Sequence, residues 1–168
     1  MKNIVLTGFM ATGKTTIGTL LAKKLGRRFI DTDTLIAEHE QKTIPEIFSQ
    51  NGEKYFRKIE SEIIAEVSKL RGCIISTGGG AVLDKANISN LRKSGIIVNL
   101  AASAKVIAQR TNQNNERPLL EEKTEADIEK MLLARAPYYL DNDFSIDVDN
   151  LSPVIIADRI ISMYKKLI

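Results

Sequence analysis

The chain has 168 residues, of which 43% are hydrophobic and 27% are charged, the composition of an ordinary globular protein. This length fits one domain that buries most of its surface without disulfides. The net charge of +3, from 24 Lys and Arg against 21 Asp and Glu, is too small to indicate a nucleic-acid or membrane partner, but it suits an anionic small molecule. Because the apolar runs are too short for a bilayer span and the first predicted strand leaves no room for a signal peptide, we expect a cytoplasmic protein. We also expect a monomer, although no sequence feature indicates the oligomeric state.

Short Ile- and Val-rich runs alternate with longer amphipathic stretches, which is typical of a parallel sheet with helices on both faces. The predicted strands are residues 3–7, 28–30, 73–76, 96–100 and 144–148. The predicted helices are residues 14–25, 34–40, 45–51, 53–70, 84–93, 103–111, 124–140 and 152–167. The single cysteine, Cys73, has no partner for a disulfide or a zinc site, so we interpret it as a core residue.

The first predicted strand runs directly into residues 8–15, GFMATGKT, a complete match to the phosphate-binding loop G-x-x-x-x-G-K-[ST]. Glycines at both ends let successive amide groups point inward, and the helix that begins near Lys14 adds its positive end to that anion site. Lys14 would meet the outer phosphates, and the Thr15 hydroxyl would bind magnesium. The alternative is an ordinary glycine-rich turn between a strand and a helix.

Two acids spaced i, i+2, Asp31 and Asp33, follow the second predicted strand. Side chains alternate along a strand, so both should point the same way at the edge that carries the phosphate loop. One acid could then face magnesium while the other reaches a substrate hydroxyl. The alternative is that Asp33 caps the next helix and Asp31 is merely solvated.

On the long helix that follows, Glu53, Arg57 and Glu60 share one face, which predicts either a surface ion-pair ladder or a functional group. Farther along the chain, three consecutive glycines, Gly78 to Gly80, follow an apolar strand and would expose bare backbone where a ligand can approach. A flexible loop without a ligand is the alternative for these glycines.

The segment from Thr111 to Pro118 is polar and rich in amides, so we expect a surface loop and a candidate lid. It carries Arg117, whereas Arg110 ends the preceding helix and Arg135 lies on the following one. From composition alone, each arginine could be a solvated surface charge.

Together these motifs, in this order, resemble the shikimate kinases, small P-loop enzymes that use ATP to phosphorylate the 3-hydroxyl of shikimate. The resemblance covers nearly the whole chain and rests on the phosphate loop, Asp31-Thr-Asp33, Phe56-Arg57-x-x-Glu60, Gly78-Gly79-Gly80, Arg117-Pro118-Leu119 and Arg135-x-x-x-Tyr139. It implies a P-loop kinase fold of the nucleoside monophosphate kinase type, a five-stranded parallel sheet flanked by helices on both faces. It also implies one domain over residues 1–168, with substrate-binding helices at about 34–60 and a mobile lid at about 111–123.

For the nucleotide, the resemblance implies that the ATP phosphates are wrapped by Ala11, Thr12, Gly13, Lys14, Thr15 and Thr16. Lys14 would neutralise charge, and Mg²⁺ would be bound by Thr15 and, through water, by Asp31. Arg117 would move with the lid onto the phosphates, and Arg110 would lie along the adenine.

For the second substrate, the resemblance implies that Asp33 accepts hydrogen bonds from shikimate hydroxyls and acts as general base. Arg57 and Arg135 would bind the carboxylate through charge-assisted hydrogen bonds. The backbone of Gly79, with its neighbours Gly78 and Gly80, would pack against the substrate. Lys14, Asp33 and Arg117 are thus the expected catalytic residues.

The sequence departs from the family pattern at two positions, since Ala11 replaces a common glycine and Thr19 stands where a basic residue is frequent. Neither change removes a catalytic group, but Ala11 requires backbone angles that a Cβ tolerates. Two other functions stay open: a kinase of the same fold for another hydroxyl, such as gluconate or a nucleoside monophosphate, and a nucleotide-dependent regulatory module without phosphotransfer. The paired arginines argue against the first, and Asp33 with Arg117 against the second.

Overall fold

The computed structural model describes residues 1–113 and 123–168, without the side chains of residues 112 and 113. In this part of the chain, five parallel strands form one sheet: β1 (Asn3–Thr7), β2 (Phe29–Asp31), β3 (Ile74–Ser76), β4 (Gly95–Ala101) and β5 (Phe144–Asp147). The strand order across the sheet is β2-β3-β1-β4-β5. The helices are α1 (Lys14–Leu25), α2 (Thr32–Glu40), α3 (Ile44–Val67), α4 (Lys85–Ser94), α5 (Ala104–Gln113), α6 (Glu125–Tyr139) and α7 (Pro153–Lys166), and a short 3₁₀ helix covers Ala81–Leu83.

Alternation along the central strand β1 places helices on both faces of the sheet. Ile4 and Leu6 pack on one face with side chains of α1 and α7, whereas Val5 packs on the other with side chains of α3 and α4. Cys73, next to β3, is buried with Val5, as expected of a core residue. The predicted fold, a five-stranded parallel sheet with helices on both faces, is confirmed.

Helix boundaries follow from local signals that were mostly visible in the sequence. Thr43 and Glu46 form a reciprocal capping box at the start of α3. Gly52 interrupts that helix with φ 80° and ψ 169°, which is where the sequence predicted two separate helices. In the described part of the chain, no helix is both long and apolar enough to cross a membrane.

The start of α2 differs from the prediction. The Asp31 carboxylate accepts hydrogen bonds from the backbone N–H groups of Asp33, at 3.0 Å, and Thr34, at 3.5 Å. Asp31 is therefore the N-cap, and the helix begins at Thr32, two residues earlier than predicted. Asp33 lies in the first helical turn, so the strand-alternation argument for Asp31 and Asp33 was wrong, and so was the alternative that Asp33 is the cap.

Candidate active site

The motifs predicted to carry function meet at one edge of the sheet because they follow neighbouring strands. The phosphate loop follows β1, Asp31 ends β2, and the three glycines come shortly after β3. These strands lie side by side in the order β2-β3-β1. The carboxyl ends of parallel strands form the ligand crevice of an open α/β sheet, so this edge is the candidate active site.

The phosphate loop is closed on itself by hydrogen bonds. The Lys14 ammonium donates to the carbonyl oxygens of Gly8, at 2.8 Å, and Phe9, at 2.9 Å, and the Thr12 hydroxyl donates to the same Phe9 oxygen at 2.8 Å. Gly8 and Gly13 adopt φ values of 139° and 95°, which side-chain-bearing residues rarely adopt. The loop thus holds a charged ammonium against its own backbone at the start of α1, an arrangement suited to a polyphosphate.

Ala11, which replaces a glycine common in the family, adopts a backbone conformation that glycine usually provides. Its φ is 61°, in the left-handed region. The Arg110 guanidinium, from α5, donates to the Ala11 carbonyl oxygen at 3.1 Å. Arg110 therefore lies against the phosphate loop, and its hydrogen bond helps to hold Ala11 in this conformation.

Two oxygen-bearing side chains beside the loop have the chemistry of a magnesium site. The Thr15 hydroxyl donates to Oδ2 of Asp31 at 3.0 Å, while Oδ1 of Asp31 caps α2. Mg²⁺ prefers hard oxygen ligands and usually binds through one or two protein groups together with waters and substrate phosphates. Thr15 and Asp31 could hold Mg²⁺ in that manner.

Of the three glycines, Gly79 lies against the backbone of the phosphate loop, whereas Gly78 and Gly80 lie directly against charged side chains. A Cβ atom added to Gly78 would lie 2.7 Å from Oδ1 of Asp33 and 2.9 Å from Oε1 of Glu60. A Cβ on Gly80 would collide with the guanidinium of Arg57, with Nη1 only 2.5 Å away. Bare backbone is therefore needed for these charges to approach, so the glycines serve more than loop flexibility.

The face of α3 is not a solvated ion-pair ladder. Glu60 is only 1% exposed and accepts a hydrogen bond of 2.7 Å from Nη1 of Arg57. Glu53 is exposed, and its carboxylate lies farther from the same guanidinium, at 3.3 Å. Desolvation raises the pKa of Glu60, an effect that Arg57 partly offsets and that nearby Asp33 and Asp84 reinforce. Glu60 Oε1 is buried and has no hydrogen-bond partner among the described residues.

Arg135 and Tyr139 place one end of α6 at the candidate active site. The Arg135 guanidinium lies 5.5 Å from the ring centroid of Phe9, which is part of the phosphate loop. The Tyr139 hydroxyl donates to the Gly79 carbonyl oxygen at 2.5 Å. Burial raises the pKa of Tyr139, and the positive charges of Arg135 and Arg57 act in the opposite direction.

Of the residues predicted from the sequence, Arg117 lies outside the described residues, as does most of the predicted lid. The structure gathers the others at this edge. Sequence reasoning gave no role to two residues that the structure places here, Glu60 and Tyr139. Both stood inside quoted motifs, and the spacing of Glu60 three residues after Arg57 was the signal available for it.

Comparison with known proteins agrees with this geometry. A sequence model of the shikimate kinase family matches residues 10–165. The chain is 48% identical to the shikimate kinase of Caldicellulosiruptor saccharolyticus over 98% of its own length and 96% of that protein, and 46% identical to that of Thermodesulfovibrio yellowstonii over 99% and 97%. Among solved structures, a shikimate kinase from Acinetobacter baumannii in complex with shikimate superposes with a TM-score of 0.91 at 34% identity, over 97% of this chain and 92% of that one. The resemblance stated from the motifs is confirmed: the chain belongs to the shikimate kinase family.

Proposed function

We propose that the chain transfers the γ-phosphoryl group of ATP to the 3-hydroxyl of shikimate, giving shikimate 3-phosphate on the route to chorismate and the aromatic amino acids. One observation carries this proposal: the glycine loop lies against two acids, Asp33 and Glu60, and against Arg57, directly beside the phosphate loop, where Arg135 lies over Phe9. Shikimate is a small acid with several hydroxyls, so it requires both a carboxylate clamp and hydroxyl acceptors.

The clamp would be formed by Arg57 and Arg135. They lie on different helices, α3 and α6, but Arg57 lies against Gly80 of the glycine loop and Arg135 lies over the ring of Phe9 in the phosphate loop. Glu60 fixes the Arg57 guanidinium from its buried side. A guanidinium that is already oriented loses less freedom when it binds a carboxylate, and its planar fork matches the two carboxylate oxygens.

Asp33 would be the group that receives the proton. In the reaction, the shikimate 3-oxygen attacks the γ-phosphorus, the bond from that phosphorus to the bridging oxygen of ATP breaks, and ADP leaves. The hydroxyl proton passes to the Asp33 carboxylate. Lys14 would neutralise charge on the phosphates held by residues 11–16, so the protein mainly positions reactants and supplies electrostatic stabilisation.

Thr15 and Asp31 would hold Mg²⁺, because their two oxygens already meet at 3.0 Å beside the loop. When bound, the cation neutralises charge on the ATP phosphates. Arg110, placed against the loop, is proposed to extend along the adenine. Arg117 is proposed to move with the lid, at about 111–123, onto the ATP phosphates, as the family resemblance implies. The cytoplasm and a monomeric state stay predictions from the sequence.

The test is an ADP-release assay on the purified protein with ATP and Mg²⁺, offering shikimate, gluconate and a nucleoside monophosphate in parallel. We expect ADP only with shikimate, and mass spectrometry should find one added phosphate on it. A Lys14→Ala variant, purified identically, controls for contaminating ATPases. Turnover with gluconate or the monophosphate instead, or none with shikimate, would overturn the proposal.

A further inference from the structure

Tyr139 joins two separate parts of the substrate side of the site. It is the last residue of α6, four positions after Arg135, and its side chain is 9% exposed. Its ring packs in a core cluster with Phe9, Val82, Ile88, Ile107 and Ile128. Its hydroxyl nevertheless reaches a backbone carbonyl 60 residues away in the chain, that of Gly79.

The glycine loop is held differently at its middle residue than at the residues on either side. The carbonyl oxygens of Gly78 and Gly80 accept hydrogen bonds from N–H groups only three residues ahead, those of Ala81 and Leu83. These are bonds of an ordinary turn. The carbonyl of Gly79 instead accepts from the Tyr139 side chain.

The orientation of this carbonyl matters because the same loop borders the charged groups of the site. Gly78 lies against Asp33, and Gly80 lies against the guanidinium of Arg57, in both cases with no room for a Cβ. A rotation of the peptide after Gly79 would therefore displace the backbone on which Arg57 rests. Arg135 lies four residues before Tyr139 on α6, so the hydroxyl bond to Gly79 ties the helix that carries Arg135 to the loop on which Arg57 rests.

We propose that Tyr139 is a positioning residue, whose hydroxyl fixes the glycine loop relative to Arg57 and Arg135 so that both guanidinium groups are set for the substrate carboxylate. This rests on the proposed function, because it assumes that shikimate occupies the site. A phenol is suited to the task because burial keeps its proton in place and makes it a constant donor. Phenylalanine would keep the ring packing and remove only the hydroxyl.

The chain offers a matched control for Tyr139→Phe. Tyr164, in α7, is 2% exposed and its hydroxyl donates to the Lys2 carbonyl oxygen at 2.7 Å. It packs in the core cluster that contains Ile4 and Leu6, away from the glycine loop. Tyr139→Phe and Tyr164→Phe therefore each remove one partly buried hydroxyl-to-carbonyl bond, but only the first touches the site.

Steady-state kinetics and thermal unfolding of both variants test the proposal. We expect similar small decreases in Tm, and a rise of about five- to tenfold in the KM for shikimate in Tyr139→Phe alone, the effect of one lost hydrogen bond. The KM for ATP should stay within about twofold of wild type in both variants, since neither hydroxyl contacts the phosphate loop. An unchanged shikimate KM in Tyr139→Phe, or an equal rise in Tyr164→Phe, would overturn the proposal.

A second measurement separates positioning from general loosening of the fold. The methyl ester of shikimate lacks the carboxylate charge, so wild type should bind it more weakly than shikimate. If Tyr139 sets the two arginines, the ratio of the two affinities should shrink in Tyr139→Phe. An unchanged ratio contradicts the proposal. Wild-type turnover of shikimate is measured first in the same assay, so its absence would refute the proposed function and not the role of Tyr139.

Discussion

The phosphate side and the substrate side of this crevice are built in opposite ways. In the phosphate loop, the internal hydrogen bonds join residues at most six positions apart, as from Lys14 to Gly8. On the substrate side, the contacts join α2, α3, α6 and the glycine loop, and the bond from Tyr139 to Gly79 spans 60 residues. The first half is built mainly from local bonds, with the bond from Arg110 to Ala11 as a long-range support, whereas the second exists only in the folded chain.

This difference predicts how the two halves respond to substitution. The phosphate loop presents mostly backbone, so its shape depends on a few permissive φ values. The substrate side presents individual charged side chains, each with its own partner. Single substitutions there should impair the binding or reaction of shikimate while leaving ATP affinity nearly intact.

Asp33→Asn should have the largest effect. It keeps the size and one acceptor but removes the charge that takes the proton, so kcat should fall by about 10²- to 10⁴-fold while ATP still binds. Turnover measured by ADP release and ATP affinity measured by calorimetry check both parts. Glu38→Gln, an exposed carboxylate on the same helix, is the control and should behave as wild type. Near-normal turnover in Asp33→Asn would remove Asp33 from the reaction.

The two arginines should come next. Arg57→Ala and Arg135→Ala should each weaken shikimate binding by about 2–5 kcal/mol, the range for truncating one partner of a buried charge pair. ATP affinity should change little. Lys58→Ala removes a charge beside Arg57 that is 70% exposed, so it should leave shikimate affinity unchanged. If ATP affinity falls as far as shikimate affinity, the two halves are not separable in the way that the structure indicates.

Glu60→Gln tests the buried charge that supports Arg57. Because the pKa of Glu60 is raised in the folded state, the folded protein binds more protons than the unfolded chain at pH values above the ordinary 4.5. The stability of wild type relative to Glu60→Gln should therefore fall as pH rises from 4.5 through the raised pKa, by at most about 1.4 kcal/mol per pH unit.

Urea unfolding of both proteins across this pH range measures that difference. Glu62→Gln replaces a carboxylate of α3 that is 57% exposed, so its stability difference from wild type should not vary in this manner. A stability difference between wild type and Glu60→Gln that is constant, or that grows with pH, would show that Glu60 is not held as an unfavourably buried charge.

The same contrast between local and long-range structure explains what the sequence could predict. The strands, most helix boundaries and the phosphate loop follow from short-range patterns, and even the break at Gly52 was visible. The start of α2 was missed because Asp31 can cap a helix or extend a strand, and only its hydrogen bonds decide between them.

On the substrate side, residue patterns alone left Arg57 and Arg135 as possible surface charges. The family resemblance identified them, because the order of the motifs carries information that no single helix holds. The roles of Glu60 and Tyr139 depend on burial and on contacts between distant segments. Such contacts become visible only when the chain is folded, which is why the sequence did not assign them.

Ala11→Gly should have the smallest effect, and it tests the local half of the comparison. At φ 61°, the left-handed conformation costs Ala11 about 1–2 kcal/mol, a strain that glycine would avoid. Glycine would in turn lose about 0.5–1 kcal/mol more in backbone entropy on folding. The free energy of unfolding should therefore rise by about 0.5 kcal/mol. Ala134→Gly, at an exposed position inside α6, has no such penalty to relieve and should lower stability by about 0.5–1 kcal/mol. Chemical denaturation of the two variants gives opposite signs if the phosphate loop imposes this conformation on Ala11, and equal losses if it does not.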